Sequence, residues 1–416
     1  MALCRSDHGA IARAGAEIPF YHPTAGLYRS GKQIVKVRLA IIGSGFGLYG
    51  LLPAFQRLRQ CEVVGYCARP TPRALEYCRG TGVEALFTDW RRMIKEVQPD
   101  AVAIAVVPKY QYAIARYALR HGVAVFAEKP LATSVKQARE LLELARRSQC
   151  AHMVDFIFPE VPAWRAARAA LRAGRIGRIT QVVVNWSFLS HDLRHRLRTW
   201  KTDPARGGGA LAFFGCHLLH NLEFFLGPIE RLGCRLDGAG TGGSVGETAV
   251  NLQVKFRQGA SGSVVLNCAS RGASTHRWEF YGERGTMVLS SDAEGVSPDF
   301  RVTLGTEGNS ARKLSVPKMP RRAGVDGRVP LVERIGQRFI RWCGDGGVAE
   351  PNFAHGCRVQ ELIEIARRSH RRGEILTVPE MRTGAARCEA FPRRDIFRNR
   401  VRDEQTLAAF SSKESH

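Results

Sequence analysis

The chain has no run of about 18 apolar residues, so no segment reads as a membrane-spanning helix. Its first 33 residues lack the apolar core of a secretory signal, and the scattered Arg5, Asp7, Arg13 and Glu17 do not make a transit peptide. The 11 cysteines include no Cys-x-x-Cys pair. An odd number at scattered spacings argues against a disulfide framework and a zinc site, and points to a reducing cytoplasm. Acidic residues are scarce, 38 against 62 basic, for a net charge of +24. Lysine is scarce too, supplying 11 of the 62, so the basic character is mostly arginine.

Those arginines do not gather on one predicted element. The densest runs, "ARRSHRRG" (366–373) and "FPRRDIFRNR" (391–400), stand at a helix end and in a C-terminal tail. This reads as solvated composition, so nucleic acid is not an expected partner. A basic surface still draws in anionic ligands such as phosphorylated cofactors.

A chain of 416 residues is long enough for two domains with tails. Residues 1–33 show no sustained period and read as a mobile extension. From "QIVKVRLAIIG" onward, short apolar strands alternate with helices: "EVVGYCA", "DAVAIAVVP" and "VAVFAEKP" are separated by helical stretches, and the unit closes near 155 with "AHMVDFI". Such alternation with short connections predicts a Rossmann-type doubly wound parallel sheet over 34–155. After a helix over 160–174 the pattern changes. "ITQVVVNWSF", "ETAVNLQVKF", "ASGSVVLNCA" and "HRWEFYGERGTMVLS" read as longer strands with partial alternation and Gly-rich turns. They predict an α+β domain over 156–380 built on a large open, mostly antiparallel sheet. Two late helices complete it, and 381–416 reads as a basic tail.

"GSGFGLYG" (43–50) closes the first strand and opens the first helix. Gly43 permits a tight turn, and Gly45 lets the backbone approach a pyrophosphate at a helix N-terminus. Phe46, Gly47 and Pro108 are counted with them as cofactor-binding candidates. The third glycine of the fingerprint is absent, since Leu48 stands there, with Gly47 and Gly50 on either side. After the second strand Ala68 replaces the acid that would hold an NAD ribose, and Arg69 follows it. Without a carboxylate to repel a 2′-phosphate, and with a guanidinium to pair with it, NADP is the expected cofactor and NAD the alternative.

"AEKPLATS" sets Glu128 and Lys129 at the C-terminal end of the fifth strand, the edge where open α/β sheets bind ligands. A lysine there can donate to a substrate oxygen and to the nicotinamide ribose. In "GGGALAFFGCHLLHNLEF" (207–224), three glycines lead into a helix with His217 and His220, and Phe213 stands one turn before His217. An imidazole with an unperturbed pKa near 6.5 suits proton exchange. Phe213 shares a helical face with His217 and is positioned to shape a pocket, and Asn221 is placed to bond the imidazole. Cys216 reads as a small packing residue.

The chain resembles the Gfo/Idh/MocA oxidoreductases over roughly 36–378. The likeness rests on "GSGFGxxxxLPAF", on "EKP" (128–130), on "WKTD…GGGAL…G-x-H" (200–217) and on "EFYGERGTMVL" (279–289). It implies hydride transfer between a nicotinamide and a hydroxyl- or carbonyl-bearing carbon of a sugar, cyclitol or nucleotide-sugar. It implies Lys129 and His217 as catalytic residues, and an oligomer formed through the C-terminal sheet. Trp200 and Lys201 match a segment that approaches the active site, and with His220 and Asn221 they are the substrate-binding candidates. Arginines of the neighbouring loop "HDLRHRLRTWKTD" either meet a substrate phosphate or are solvated. The departures are specific. Where many members have two aspartates this chain has Phe213 and His220, and where a histidine often follows the fourth strand it has Gln111. The resemblance also covers cofactor-binding regulators without catalysis and glycosidases that retain NAD.

Overall fold

The computed structural model describes residues 36–380 apart from 82, 84–85, 241–245 and 294–298. The extension over 1–33 and the basic tail over 381–416 lie outside the described residues.

The first half alternates as its sequence predicts. Strands β1 (Val37–Ile42), β2 (Cys61–Cys67), β3 (Leu86–Phe87), β4 (Ala101–Ile104), β5 (Ala124–Ala127) and β6 (His152–Val154) are separated by five helices. These are α1 (Leu52–Gln56), α2 (Pro72–Thr81), α3 (Trp90–Val97), α4 (Pro108–Arg120) and α5 (Val135–Arg147). The strands pair in parallel in the order β3-β2-β1-β4-β5-β6. Their central members are buried on both faces, which is why "LAII", "AVAI" and "AVFA" are continuous apolar runs rather than alternating ones. In this topology strand order reverses between β1 and β4, so their C-terminal ends leave a crevice for a ligand.

The second half opens with α6 (Pro162–Arg172), the long strand β7 (Ile179–Ser187), a single turn α7 (His191–Arg194) and α8 (Cys216–Leu226). Then come β8 (Ile229–Asp237), β9 (Ala249–Phe256), β10 (Ser261–Asn267), β11 (Thr275–Gly282), β12 (Gly285–Ser291), β13 (Arg301–Thr306) and β14 (Asn309–Lys313). Helices α9 (Val329–Asp345) and α10 (Phe353–Arg372) precede a short final strand, β15 (Leu376–Thr377). The nine strands form one open sheet, β14-β13-β12-β11-β7-β10-β9-β8-β15, antiparallel everywhere except between β7 and β10. Strands β9 and β10 alternate buried and exposed residues, as a sheet with one covered face requires. "HRWEFYGERGTMVLS", expected as one strand, is a hairpin: β11 and β12 meet at Gly282 and Gly285 around Glu283-Arg284. No helix of the described residues is long and apolar enough to cross a membrane.

The late helices do more than finish the second sheet. Phe339 of α9 meets Phe55 of α1 and Phe126 of β5 edge-to-face at 6.5 and 5.6 Å, and all three are fully buried. Each such ring contributes about 1.5–3 kcal/mol on burial, so the returning chain is tied into the first sheet's core. A buried ion pair fixes α10 to the functional helix α8. Arg358 donates to Glu223 at 2.8 Å and also to the Ile229 and Pro379 carbonyls.

Removing one partner of a buried pair strands the other charge. The variant Arg358→Met is expected to lose about 3 kcal/mol of stability, measured by urea unfolding. Adding Glu223→Leu should recover part of that loss. A single variant within about 0.5 kcal/mol of the parent would show that this pair holds nothing together.

Candidate functional site

Two helices of the protein begin with a π-helical turn, Gly47–Leu51 ahead of α1 and Leu211–Gly215 ahead of α8. Such turns re-aim side chains and recur at functional sites. Residues at both, with the ends of β5 and β6 and the 188–202 segment, bound a cavity of about 1770 Å³. A pocket for one drug-sized ligand is roughly 300–1,000 Å³, so this cavity has room for more than one such ligand.

On the first-sheet side, Gly43 has φ +135°, and a Cβ there would meet the Ala105 carbonyl oxygen at 2.1 Å. Only glycine makes that turn. A Cβ on Gly45 would meet nothing within 4 Å. Gly43, Gly45 and Phe46 line the cavity together with Ala68 and Arg69. Arg69 is exposed and makes no ion pair among the described residues. These features fit a dinucleotide laid across the turn. Gly47 and Pro108 stand outside the lining. Gly47 is buried at the helix start, and Pro108 lies behind the wall, against Gly207.

Lys129 follows Glu128 at the end of β5, on a loop with a cis peptide to Pro130. Gln111 holds this loop. Its amide donates to the carbonyls of Glu128 (2.6 Å), Pro130 (3.0 Å) and Leu131 (3.1 Å). The position without the expected histidine therefore carries a positioning residue. The buried ammonium of Lys129 donates to the Phe213 carbonyl at 3.1 Å and sits 4.0 Å from the centre of the Phe213 ring. Burial lowers its pKa below the ordinary lysine value, the nearby Cys216 and Glu128 oppose that, and Arg328 and Lys201 add to it.

The carbonyl is backbone and would be there with any residue at this position, so the Phe213 side chain offers Lys129 a π-face in place of a carboxylate, a weaker partner for a cation. It also lines the cavity and packs edge-to-face on Trp200 at 5.3 Å. Trp200 and Lys201 line the cavity too, and Lys201 lies 3.4 Å from Asp192. The turn into α8 folds tightly beneath them. Gly209 has φ +90°, and a Cβ there would strike the Glu247 carboxylate at 2.4 Å. Glu247 accepts from the Leu211 N–H at 3.0 Å, closing that turn.

His217 lines the same cavity at 3% exposure, its Nδ1 without a hydrogen-bond partner among the described residues. Burial first, then Lys129, His220 and His276, hold its pKa well below the ordinary histidine value, so the imidazole is neutral. The rings of Phe156, Phe158 and Trp186 surround it. Asn221 does not bond it, contrary to expectation. Although residues four apart share a helical face, Asn221 bonds His220 instead, with Oδ1 3.3 Å from that ring's Nδ1. His220 stacks on Phe156 at 4.2 Å, and burial pushes it down to about 3. Neither His220 nor Asn221 lines the cavity. Cys216 is buried, and burial raises its thiol to about 11, so it is packing rather than a nucleophile.

Arg328 and Asp155 are among the cavity residues that were missed in the sequence. Arg328, at the head of α9, is held by Asp326 through two bonds of 2.9 and 2.7 Å and covers the Phe46 ring at 4.4 Å. Nothing local marks it, because it lies far along the chain from the glycine turn it covers. Asp155, just past β6, had a signal: it is the single charged residue in "AHMVDFIFP".

Placing a carboxylate at position 213 restores an anion beside Lys129. Phe213→Asp should move the Lys129 titration upward, since an opposite charge favours the ammonium. Carbon-13 NMR of labelled lysine reads this directly, and an unmoved Lys129 resonance would break the link between the two residues.

Comparison with known proteins agrees with this architecture. The family model described as "Oxidoreductase family, NAD-binding Rossmann fold" matches residues 37–156, and the "GFO/IDH/MocA C-terminal domain" matches 164–288. An uncharacterized oxidoreductase of Synechocystis is 25% identical, over 82% of this chain and 96% of its own length. D-apiose dehydrogenase of Paraburkholderia graminis is 24% identical, over 83% and 91%. Levoglucosan dehydrogenase of Pseudarthrobacter phenanthrenivorans is 22% identical, over 74% and 87%. Among solved structures, levoglucosan dehydrogenase with NADH and L-sorbose superposes with a TM-score of 0.72 at 22% identity, covering 83% of this chain and all of that one. With both of its halves matched and both sheets in place, the chain belongs to the Gfo/Idh/MocA family of NAD-binding oxidoreductases.

Proposed function

We propose that the protein interconverts a hydroxyl and a carbonyl on a sugar, cyclitol or nucleotide-sugar, with NADP as its preferred cofactor. The observation that supports this reading is the meeting of the glycine turn, Lys129 and His217 in one cavity. The relatives point to the same substrate class: they are named for D-apiose, levoglucosan and D-xylose, and for a dTDP-linked sugar.

Gly43, Gly45, Phe46, Ala68 and Arg69 hold the dinucleotide, Arg69 pairing with the 2′-phosphate. When bound, the nicotinamide supplies the hydride acceptor or donor. The protein's own residues handle the oxygen and its proton. In the oxidation direction the neutral imidazole of His217 takes the hydroxyl proton. The ammonium of Lys129 donates to the same oxygen and holds its growing negative charge. Lys129 is half-buried, and away from bulk water such an interaction is stronger than it would be in water. Reduction runs the same transfers backwards. Trp200 and Lys201 close the substrate side, and the Phe213 ring keeps water from the ammonium. Phe213 in place of an acid also gives substance to a second reading, a cofactor-binding regulator without catalysis.

Cofactor turnover with D-apiose, D-xylose, levoglucosan, 1,5-anhydro-D-fructose and their oxidised or reduced partners separates the two. Turnover that falls by at least about 10³-fold in Lys129→Met, with cofactor affinity kept, supports the enzyme. Tight cofactor binding without turnover on any sugar supports the regulator. The variant Arg69→Asp should reverse the preference from NADP to NAD, and an unchanged ratio of the two affinities would remove Arg69 from the site.

A further inference from the structure

Three buried acids can be compared. Glu160, 3% exposed, is paired with Arg338 at 2.6 Å and Arg165 at 3.3 Å. Asp192, 5% exposed, accepts from the Thr199 hydroxyl and lies 3.4 Å from Lys201. Asp155, 2% exposed, has neither carboxyl oxygen in a hydrogen bond with a donor among the described residues. It is nevertheless fixed in place, because its backbone N–H donates to Ala127 at 2.9 Å, beside the loop that bears Glu128 and Lys129. It also lines the cavity that Lys129 and His217 line. A buried polar group without a partner is destabilising, so a purely structural acid would carry donors as the other two do.

We propose that Asp155 is a specificity-determining residue of the sugar pocket, whose carboxyl pairs with a ligand hydroxyl neighbouring the carbon that exchanges hydride. The inference rests on the sugar reading above and deepens it. The charged groups facing Asp155 are Glu128 and Lys129 from the end of β5 and Arg328 from the head of α9, with His217 across the cavity. Burial and the Glu128 carboxyl both raise its pKa well above the usual aspartate value, against Lys129 and Arg328. Two neighbouring carboxyls bond to each other only when one holds a proton. Asp155 therefore meets its ligand as a neutral acid whose one O–H serves the Glu128 carboxyl and whose other oxygen is left to accept from a sugar hydroxyl. A pair that shares one proton sets a single negative charge, not two, beside the ammonium of Lys129.

The test compares Asp155→Asn, which keeps a neutral donor and acceptor at the same size, with Asp155→Leu, which keeps neither. Sugar binding is read by calorimetry in the presence of saturating NADP⁺, and KM and kcat are measured beside it. Cofactor affinity of each variant, measured separately, reports that it is folded. The expected result is sugar affinity within about 3-fold of the parent for Asp155→Asn. For Asp155→Leu the expected loss is at least about 30-fold, carried by KM, with NADP⁺ affinity unchanged. Parental sugar affinity in Asp155→Leu overturns the inference, and so does an equal loss in both variants, which would require an ionised carboxylate. If the parent turns sugars over but Asp155→Leu leaves KM unmoved, this inference falls alone. If the parent neither binds nor converts any sugar of the panel, the sugar reading falls and takes this inference with it.

Discussion

An ammonium group buried at the junction of two sheets is the constraint around which the site is arranged. Lys129 is carried to the end of β5 by the first sheet, yet its charge is met by the carbonyl and ring of Phe213 from the entry to α8. Taking a cation from water is costly unless it is well partnered. A carbonyl and a π-face repay part of that cost, and the lowered pKa of Lys129 expresses the remainder. Burial first, and then the same ammonium, keeps His217 neutral, because an ammonium beside an imidazole disfavours a second positive charge.

The surrounding structure serves to hold that junction still. Gln111 fixes three carbonyls of the lysine loop, and Glu247 closes the glycine turn that delivers Phe213. Arg358 binds α8 to α10, while Phe339 of α9 packs into the first sheet's core. The α8 residues that point away from the cavity, His220 and Asn221, satisfy one another inside a helix buried nearly all round. Their polarity is a packing solution, and it stands apart from the chemistry of His217.

Two acids at the site illustrate how environment divides roles among like groups. Glu128 reaches the cavity from the end of β5 and Asp155 from the end of β6, and burial, with the Glu128 carboxyl beside it, holds Asp155 protonated. Against the basic excess of the whole chain, the cavity itself is mixed, with Glu128, Asp155, Asp192, Glu247 and Asp326 facing Arg69, Arg194, Arg206, Lys129, Lys201 and Arg328. The net charge of +24 is therefore a property of the surface more than of the site.

Apolar runs of strand length, glycines at fixed spacing after the first strand, and Glu128-Lys129-Pro130 after the fifth were enough to specify the parallel sheet and the edge that carries the cavity. These signals are legible because backbone geometry and strand burial act within a few residues. The sequence also marked Phe213 as the departure from the common pattern, but "HRWEFYGERGTMVLS" read as one strand where the chain turns back at Glu283-Arg284. What tertiary structure alone decided is which side chains meet. Asn221 bonds its neighbour His220 rather than His217 on its own face, Arg328 came to the glycine turn by the return of α9, and Asp155 emerged as a buried acid without a donor. Such contacts join residues far apart in the chain, and only the packing of the two sheets around one cavity brings them together.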